Sequence, residues 1–407
     1  MGTNLSILPV IPILIITLLT LNTINKKIGV VPKNQKYPAL DGLRGYMAFS
    51  VFIHHGAYYY IYYKTGTLPN SYNNIFDQLG QISVFVFFMI TGFLFFSIML
   101  EKKNHDMDWK KYFLSRFFRI YPLFIFLMGI VIIVLGIENN WTIIPPISQR
   151  LNELAHWLFF NQVPINGFIE TYFLTNKVLW SLVSEFLFYA LLPFIGVIFL
   201  GIRASFGELL FSGLVIFSFI FMNTIVSLKI TFLINSPFLI GILAALLYNN
   251  EKLRSIAIKN YTSIIILPLI FISYNYYNTI NAVIPYACIS ISFILISLGN
   301  TMFGILTNYN SILLGQISYG LYLLHGVIFR IIFKHLAIDQ YIIKDPQYIF
   351  WIALTIISII LTIVCTTCYR LIEKPFIELA PRISRRVFRH KSKRTSHTYP
   401  YNSAKHK

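Results

Sequence analysis

The feature of this sequence that most restricts its fold is the recurrence of apolar runs of about twenty residues. Eleven such runs cover residues 5–24, 43–63, 81–100, 120–137, 178–200, 206–224, 230–248, 262–278, 282–300, 312–333 and 347–370. A helix of roughly 20 apolar residues is long enough to cross the hydrocarbon core of a bilayer. Because water is absent there, each span has to satisfy its backbone hydrogen bonds internally. The sequence therefore predicts an all-α, polytopic membrane helix bundle.

The charge composition supports this interpretation. Only 12% of the residues are charged, while 56% are hydrophobic. A soluble protein would carry about twice that charged fraction. The formal net charge of +18 is the kind of balance that also occurs in nucleic-acid-binding proteins. In a polytopic chain, however, Lys and Arg are placed by membrane topology, so we expect no nucleic-acid partner.

The first apolar run is predicted to be an uncleaved membrane anchor. No basic residue precedes it in MGTNLS, whereas basic residues follow it at Lys26, Lys27, Lys33 and Lys36. Cytoplasmic segments carry the excess of Lys and Arg, so this order places the N-terminus outside. We divide the chain into an anchor (1–25), a multi-span domain (26–380) and a basic cytoplasmic tail (381–407) that is expected to be disordered.

Alternating the spans from this start tests the predicted topology. The segments placed inside, such as 101–119 and 371–407, carry clusters of Lys and Arg. The segments placed outside carry only Lys64, Arg150, Lys177, Lys229, Lys334 and Lys344. Such an excess of Lys and Arg in the inside segments is expected only when the spans are assigned the correct alternation between inside and outside. The C-terminus is therefore predicted to be cytoplasmic, where the basic tail would touch anionic lipid.

Ionisable residues inside apolar runs are informative, because burying them is costly and they usually serve a site. Arg44 and His55 lie eleven residues apart in LDGLRGYMAFSVFIHH. At 100° per residue they share one helix face, and the rise between them is roughly 16 Å. Arg44 alone would be explained by snorkelling to the headgroups, and the histidines by capping the helix at its other end. The shared face favours a functional pair.

Two other helices are predicted to bring an acid and a histidine to a similar depth. Glu185 lies in LWSLVSEFLFYALLP and is the only acid well inside an apolar run; His325 lies in SYGLYLLHGVIF. With His55, these residues resemble a base with its orienting carboxylate. A purely structural, hydrogen-bonded histidine is an equally open interpretation of His325.

The basic segments contain two further candidates. Arg116 and Arg119 in SRFFRIYP share a helix face at spacing i, i+3. They are explained either as topology markers or as two forked guanidiniums that bind phosphate. Glu373 in RLIEKPF is flanked by Arg370 and Lys374. The simplest expectation for it is a cytoplasmic salt-bridge cluster.

Several motifs in order resemble the acyltransferase-3 family of multi-pass membrane acyltransferases. They are LDGLRG with the downstream His55, VFVFFMITGFLF at 84–95, SRFFRIYP at 115–122, LWSLVSEFLFYALLP at 179–193, ISYGLYLLH at 317–325 and IEKPF at 372–376. Thr91 replaces a usual serine and Ser83 a frequent glycine, and both are small residues. The resemblance runs from about residue 38 to 378. It includes neither the anchor nor the tail, and no fused esterase-like domain is expected.

The resemblance implies a ten-helix acyltransferase core, to which the anchor adds one helix, in a bacterial cytoplasmic (inner) membrane. It also implies transfer of an acyl group, commonly acetyl from acetyl-CoA, to a hydroxyl of a carbohydrate or glycolipid outside. The family associates with activity the residues that match Arg44, His55, Arg116 and Arg119. The secondary candidates are Asp41, Trp180, His325 and Glu373.

We expect His55 to act as a general base oriented by Glu185, or as a transient acyl carrier. Arg116 and Arg119, with Arg44, would hold the CoA phosphates. Acyl-CoA is expected as donor substrate, with no tightly bound cofactor and no metal, because the histidines in the spans lack H-x-x-x-H spacing. The other expected partners are membrane lipids and the acceptor. Lipopolysaccharide O-antigen, capsule, exopolysaccharide, peptidoglycan and a small lipid are all compatible acceptors.

The competing hypothesis is a transporter or flippase for a glycolipid or small metabolite. Many carriers have ten or more spans and a few buried charges. Carriers more often show internal repeats and helices interrupted at the midplane. No repeat is visible here, and the polar residues gather on a few helices, so the enzyme is the favoured prediction.

Overall fold

The structure, a computed structural model, describes residues 5–28, 35–66, 75–169, 171–223, 228–275, 283–335 and 347–388. Within these ranges the chain forms helices joined by loops, with no β-strand beyond two isolated bridges. The predicted all-α fold is confirmed.

The helices follow one another along the chain with short connections. They are α1 (Val10–Ile28), α2 (Pro38–Thr65), α3 (Ile75–Glu101), α4 (Trp109–Glu138), α5 (Ile147–Leu158), α6 (Thr171–Leu174), α7 (Trp180–Leu200), α8 (Phe206–Met222), α9 (Leu228–Leu247), α10 (Glu251–Ala257), α11 (Asn260–Asn275), α12 (Val283–Ser297), α13 (Tyr309–Gln316), α14 (Ser318–Arg330), α15 (Gln347–Cys368) and α16 (Lys374–Phe388). Five-residue π-helical turns follow α14 at Ile331–His335 and α15 at Tyr369–Glu373.

Every predicted apolar run falls on helix in its described part, but not every run is one straight span. By length and composition, four helical stretches of the described chain can cross a membrane: α3, α4, α7 and the continuous stretch Gln347–Arg386. Two bent pairs raise this number to six, α10 with α11 at 76° and α13 with α14 at 61°. The run 312–333, predicted as one span, is thus broken. The total of eleven crossings stays a prediction.

Helix ends outside the apolar runs are fixed by side-chain caps. Asp108 accepts a hydrogen bond from the Lys111 backbone N–H at the start of α4. Ser205 and Glu208 form a reciprocal capping box at the start of α8. These bonds satisfy backbone donors that have no partner within the helix. Glu208, which the sequence places at the edge of an apolar run, thereby has a structural role.

The motif LDGLRG lets α2 touch the neighbouring backbone directly. A Cβ atom on Gly42 would collide with the carbonyl oxygen of Leu306, and one on Gly45 would lie 2.6 Å from the backbone N of Gly315. Gly315 in turn lies against the backbone of Asp41. Side chains at these positions would push α2 away from α13. The glycines therefore set the position of Asp41 and Arg44 relative to the break at Ile317.

A second close approach joins α3 and α9. A Cβ on Gly92 would collide with the carbonyl oxygen of Phe238, and a Cβ on Gly241 with that of Met89. Small residues at such crossings allow the backbones to pack, which is the usual way helices associate in lipid.

The outward faces of the bundle are apolar, as a lipid-facing surface requires. On α8, Phe206, Phe217 and Phe221 are 80%, 65% and 65% exposed. Exposed apolar side chains on this scale mark a membrane or protein interface. At the other end of the chain, the predicted tail begins inside α16, so its described part, 381–388, is helical rather than disordered. Residues 389–407 lie outside the described ranges.

Candidate active site

The main cavity opens at the basic end of the bundle, which is the end that carries Lys36, Glu101 and the start of α4. Its volume is about 620 Å³. Its polar lining residues, tyrosines included, are Gln35, Lys36, Tyr37, Asp41, Arg44, Thr91, Ser115, Arg116, Arg119, Ser181, Glu185, Tyr189, Gln316, Ser318, Tyr319, Tyr322 and Tyr369. They come mainly from α2, α4, α7 and the broken pair α13–α14.

Three arginines form the basic wall of this cavity. The Arg116 guanidinium lies over the ring of Phe95, 4.8 Å from its centroid, and its Nε donates to Ser115. Among the described residues, Arg119 has neither an ion pair nor a hydrogen bond. Arg44 is 3.4 Å from Asp41 Oδ1, a loose contact. The wall therefore presents cations whose donors are largely unused, which suits a phosphate-bearing ligand.

An ion pair stands at the cavity mouth. Lys36 donates a hydrogen bond to Glu101, and its ammonium also lies over the ring of Tyr37. The hydrogen bond to Glu101 raises the pKa of Lys36 above its ordinary value. Lys36 is therefore a permanent positive charge at neutral pH.

Glu185 lies with the arginines rather than with His55, contrary to the sequence-based expectation. Its carboxylate accepts a hydrogen bond from Tyr189, one turn further along α7. It lines the cavity and lies close enough to Arg116, Arg44 and Arg119 for their charges to act on it. The expected shared depth and face with His55 are wrong, because helical spacing within α7 fixes neither where its span begins nor the direction in which the helix faces. Glu185 does not orient the His55 ring.

The inner end of the cavity is closed by a hydrogen-bonded layer. The Tyr322 hydroxyl donates to the Val178 carbonyl at 3.1 Å and lies 2.7 Å from the Ser181 hydroxyl. Ser181 also donates to the Val178 carbonyl at 3.0 Å. This layer belongs to the start of α7 and to α14. Tyr322 and Ser181 line the cavity, whereas the described histidines of α2 and α14 do not.

Behind that layer three imidazoles form a contiguous cluster. The ring centroids of Tyr322 and His325 are 6.4 Å apart, those of His325 and His55 are 4.9 Å apart, and those of His55 and His54 are 4.6 Å apart. His325 is fully buried. Neither His55 nor His325 is among the described residues that line the cavity. The predicted contact between His55 and His325 is therefore observed. The His325 ring reaches the cavity lining through the Tyr322 side chain.

Each ring nitrogen of His55 faces a carbonyl oxygen. Nδ1 is 3.2 Å from the Val51 oxygen, and Nε2 is 3.3 Å from the Asn176 oxygen. The Val51 carbonyl belongs to the preceding turn of α2. The Asn176 carbonyl belongs to the short segment between α6 and α7. A neutral imidazole has only one N–H, so only one of these contacts is a hydrogen bond at a time.

The other predicted residues fall into two groups. Asp41 is on the cavity wall beside Arg44. Trp180 is 37% exposed at the start of α7, with its ring edge against Phe88, and does not line the cavity. Glu373 is only 1% exposed, and both its carboxylate oxygens lack a hydrogen-bond partner in the described chain. The expected exposed salt-bridge cluster is therefore wrong, because the π-helical turn directs Glu373 inward.

Several site residues were missed in the sequence. Ser181 and Tyr189 are two of them, and they line the cavity one turn before and one turn after the predicted Glu185 on α7. This spacing puts them on one face, so a search along the helix from Glu185 would have found the other two. Tyr322 precedes His325 by three residues and shares its face for the same reason. Asn176 carries no such periodic signal, because it lies in a turn.

Comparisons with known proteins add to this geometry. The family described as "Acyltransferase domain" (acyltransferase-3) matches residues 37–370. A Staphylococcus aureus (strain COL) protein named "Putative O-acetyltransferase" is 25% identical over 375 residues, which cover 84% of this chain and 58% of that protein. The "Peptidoglycan O-acetyltransferase OatA" of Listeria monocytogenes is 26% identical over 181 residues, 41% of this chain and 25% of that protein. The chain thus spans just over half the length of the first of these relatives. No solved structure matches it.

Proposed function

Since this chain belongs to the acyltransferase-3 family, as its motifs indicated, we propose that it is a membrane O-acyltransferase. It takes an acyl group, most simply acetyl, from acyl-CoA at the basic end of the bundle. It transfers this group to a hydroxyl of a cell-surface carbohydrate or glycolipid at the opposite end. The observation that carries the proposal is the arrangement of an arginine-walled cavity directly below a buried histidine cluster.

The donor fits the cavity by charge and by shape. A CoA molecule ends in phosphates, which the free donors of Arg116 and Arg119 bind by charge-assisted hydrogen bonds. Its pantetheine arm is narrow and of nanometre length. The helical rise from Arg44 to His55 is roughly 16 Å, so an arm anchored at the arginines reaches the histidines. On this path it displaces the Tyr322–Ser181 layer.

The chemistry is assigned to His55. The acceptor oxygen attacks the thioester carbonyl carbon while a His55 ring nitrogen takes the hydroxyl proton. The tetrahedral intermediate expels the CoA thiolate, which takes that proton, and an ester and a free thiol result. In the alternative two-step path, His55 first carries the acyl group itself. His325 is the second group in contact with the reacting imidazole.

The acceptor is proposed by analogy only. The printed name of the Listeria relative is that of a peptidoglycan O-acetyltransferase. Peptidoglycan or another surface polysaccharide is therefore the first acceptor to test. In the predicted orientation the N-terminus lies outside and the acceptor approaches from the same side.

A transporter or flippase remains the second candidate because of one observation. The break between α13 and α14 lies in the cavity wall, where Gly315, Gln316, Ser318 and Tyr319 line it. Interrupted helices at a buried site are frequent in carriers. A carrier would move its ligand without forming an ester, so product analysis separates the two hypotheses.

The test uses the full chain, purified in detergent, with acetyl-CoA radiolabelled in the acetyl group and solubilised peptidoglycan fragments as acceptor. We expect ester-linked label with the wild type and at least a hundredfold less with His55→Ala. Arg116→Ala/Arg119→Ala should raise the apparent KM for acetyl-CoA at least tenfold. The matched control is Lys102→Ala/Lys103→Ala, which removes two exposed charges from the same end of the bundle.

Two results would reject the proposal. Full ester formation by His55→Ala would remove the assigned base. Equal KM changes in the arginine and lysine variants would mean that the cavity arginines act only through the net charge of the basic end.

A further inference from the structure

The segment that covers His55 contains a strained turn. After α6, Asn176 and Lys177 both adopt left-handed backbone conformations, with φ of 49° and 56°. Residues other than glycine avoid this region, and asparagine is among the few that tolerate it. Two such residues in succession persist only where the surroundings hold them.

The surroundings hold this turn at several points. Tyr59 on α2 donates to the Phe173 carbonyl at 3.2 Å, and Tyr322 on α14 donates to the Val178 carbonyl. At Gly326 a Cβ would lie only 2.8 Å from the Leu174 carbonyl oxygen. The turn is therefore seated on the same two helices that supply His55 and His325. Its position relative to the imidazoles is fixed.

This seating places the backbone of Asn176 at His55. The backbone oxygen of Asn176 is 3.3 Å from Nε2. The side-chain nitrogen Nδ2 of the same residue is buried and has no hydrogen-bond partner in the described part of the chain. An unsatisfied buried donor costs about 1–3 kcal/mol. An unused donor on a residue whose backbone contacts the candidate base calls for an acceptor that arrives during the reaction.

Acyl transfer creates that acceptor. When the hydroxyl attacks the thioester, the carbonyl oxygen becomes an oxyanion that needs donors positioned in advance. The rings packed around His55 are those of His54, His325 and, further away, Tyr58. The arginines lie beyond the Tyr322–Ser181 layer. A neutral N–H donor close to His55 is therefore what the developing negative charge requires.

We propose that Asn176 is a catalytic residue whose Nδ2–H donates to the oxyanion of the tetrahedral intermediate. The acceptor oxygen approaches Nε2 beside the Asn176 carbonyl oxygen, which is 3.3 Å from that nitrogen, and its proton passes to His55. The new C–O bond forms as the carbonyl electron pair moves onto the oxygen that Asn176 binds. That pair returns as the C–S bond breaks, and the thiolate takes the proton from His55. This inference rests on the proposed acyltransferase function.

The chain offers a matched pair of variants for the test. Asn176→Gly removes the carboxamide and keeps the left-handed backbone, because glycine adopts it freely. Lys177→Gly makes the same backbone change at the next residue, whose exposed side chain lies over Tyr172. Asn176→Asp keeps the size of the side chain but removes both N–H donors. Transfer of label from acetyl-CoA, acetyl-CoA affinity and melting temperature are measured for each.

We expect Asn176→Gly and Asn176→Asp to lower kcat by about 10²–10³, the usual effect of losing one oxyanion donor. Acetyl-CoA affinity should stay at the wild-type value and the melting temperature should not fall, whereas loss of a merely structural residue would lower it. Lys177→Gly should stay within about threefold of wild type.

Equal kcat values in Asn176→Gly and Lys177→Gly would overturn the assignment of Asn176. So would a loss of kcat that is matched by loss of melting temperature in both Asn176 variants. In either case a wild type that depends on His55 would leave the acyltransferase proposal intact. A wild type that forms no ester would overturn both.

Discussion

The imidazole rings of His55 and His325 lie 4.9 Å apart, centroid to centroid, with their planes inclined by 65°. Nδ1 of His325 is 2.9 Å from the Leu321 carbonyl oxygen, so Nδ1 carries the proton in the neutral ring. Nε2 then carries a lone pair, and it has no partner among the described residues. His325 is thus set to accept a proton at Nε2.

The first prediction compares the two histidines that touch His55. His325→Gln should lower kcat by about 10², the lower range for a group that takes part in proton transfer. His54→Gln should lower it less than about tenfold, because the His54 ring is held on the Phe76 carbonyl at 2.8 Å. Steady-state transfer assays with both variants give the ratio. A larger loss in His54→Gln would reverse the assigned order.

A second prediction concerns the space that α3 leaves for the cluster of His54, His55 and His325. A Cβ on Gly80 would lie 2.7 Å from ring atoms of His54. That ring also packs against Tyr58, with centroids 4.5 Å apart, so it has little freedom to move. Gly80→Ala should therefore destabilise the protein by about 1–3 kcal/mol through overpacking.

The control for this variant lies on α4. At Gly129 an added Cβ meets nothing within 4 Å. Gly129→Ala should therefore be neutral or gain up to about 1 kcal/mol from helix propensity. The prediction is checked by measuring the melting temperatures of Gly80→Ala and Gly129→Ala in the same detergent. A wild-type melting temperature for Gly80→Ala would show that His54 moves freely.

The third prediction concerns the ion pairs. Glu138 at the end of α4 accepts from Arg330 Nε at 3.0 Å and Nη2 at 2.8 Å, and lies 2.9 Å from Lys334 Nζ. Its side chain is 4% exposed. Glu138→Gln leaves two cations without their acid and should cost about 3 kcal/mol of stability.

An exposed pair provides the comparison. Asp106 and Arg203 are 3.9 Å apart, with side chains 78% and 85% exposed. Surface pairs of this kind contribute about 0–1 kcal/mol. Asp106→Asn should therefore leave the melting temperature nearly unchanged. Equal shifts for the two variants would mean that the Glu138 cluster is solvated despite its burial.

The sequence predicted the fold class better than the grouping of the candidate residues. Apolar length identified the helices, and the 100° step placed Arg44 and His55 on α2. Neither the apolar length nor the 100° step specifies how one helix is rotated relative to another. That rotation decides that Glu185 faces Arg116 and that His325 faces His55. Pairing residues by depth therefore succeeded for the histidines and failed for the carboxylate.

Backbone irregularities are the second feature that could not be predicted from the sequence. The break at Ile317 lies inside an apolar run without any proline at that position, and the π-helical turn Tyr369–Glu373 is preceded in the chain by an uninterrupted apolar run and followed by Pro375. Their consequences are local but important. The break opens the cavity wall, and the π-helical turn buries Glu373. Asn176 depends on a left-handed turn, for which the sequence TNKV offers only the presence of an asparagine.

The last prediction separates the phosphate-binding role of the arginines from a structural one. If Arg116 and Arg119 hold the phosphates of CoA, their contribution disappears for a donor that has none. S-acetylpantetheine carries the same thioester and arm without phosphates. With acetyl-CoA, Arg116→Ala/Arg119→Ala should raise KM at least tenfold, and the wild-type KM should itself rise with salt, since exposed charges are screened.

With S-acetylpantetheine as donor, the wild type and Arg116→Ala/Arg119→Ala should bind equally weakly. Their kcat/KM values should differ by less than about twofold. A structural role for the arginines predicts the opposite, because a distorted cavity would impair both donors alike. Arg119→Lys refines the result. Lysine keeps the charge but not the forked donors, so a site that uses bidentate phosphate bonds should lose most of the effect in this variant as well.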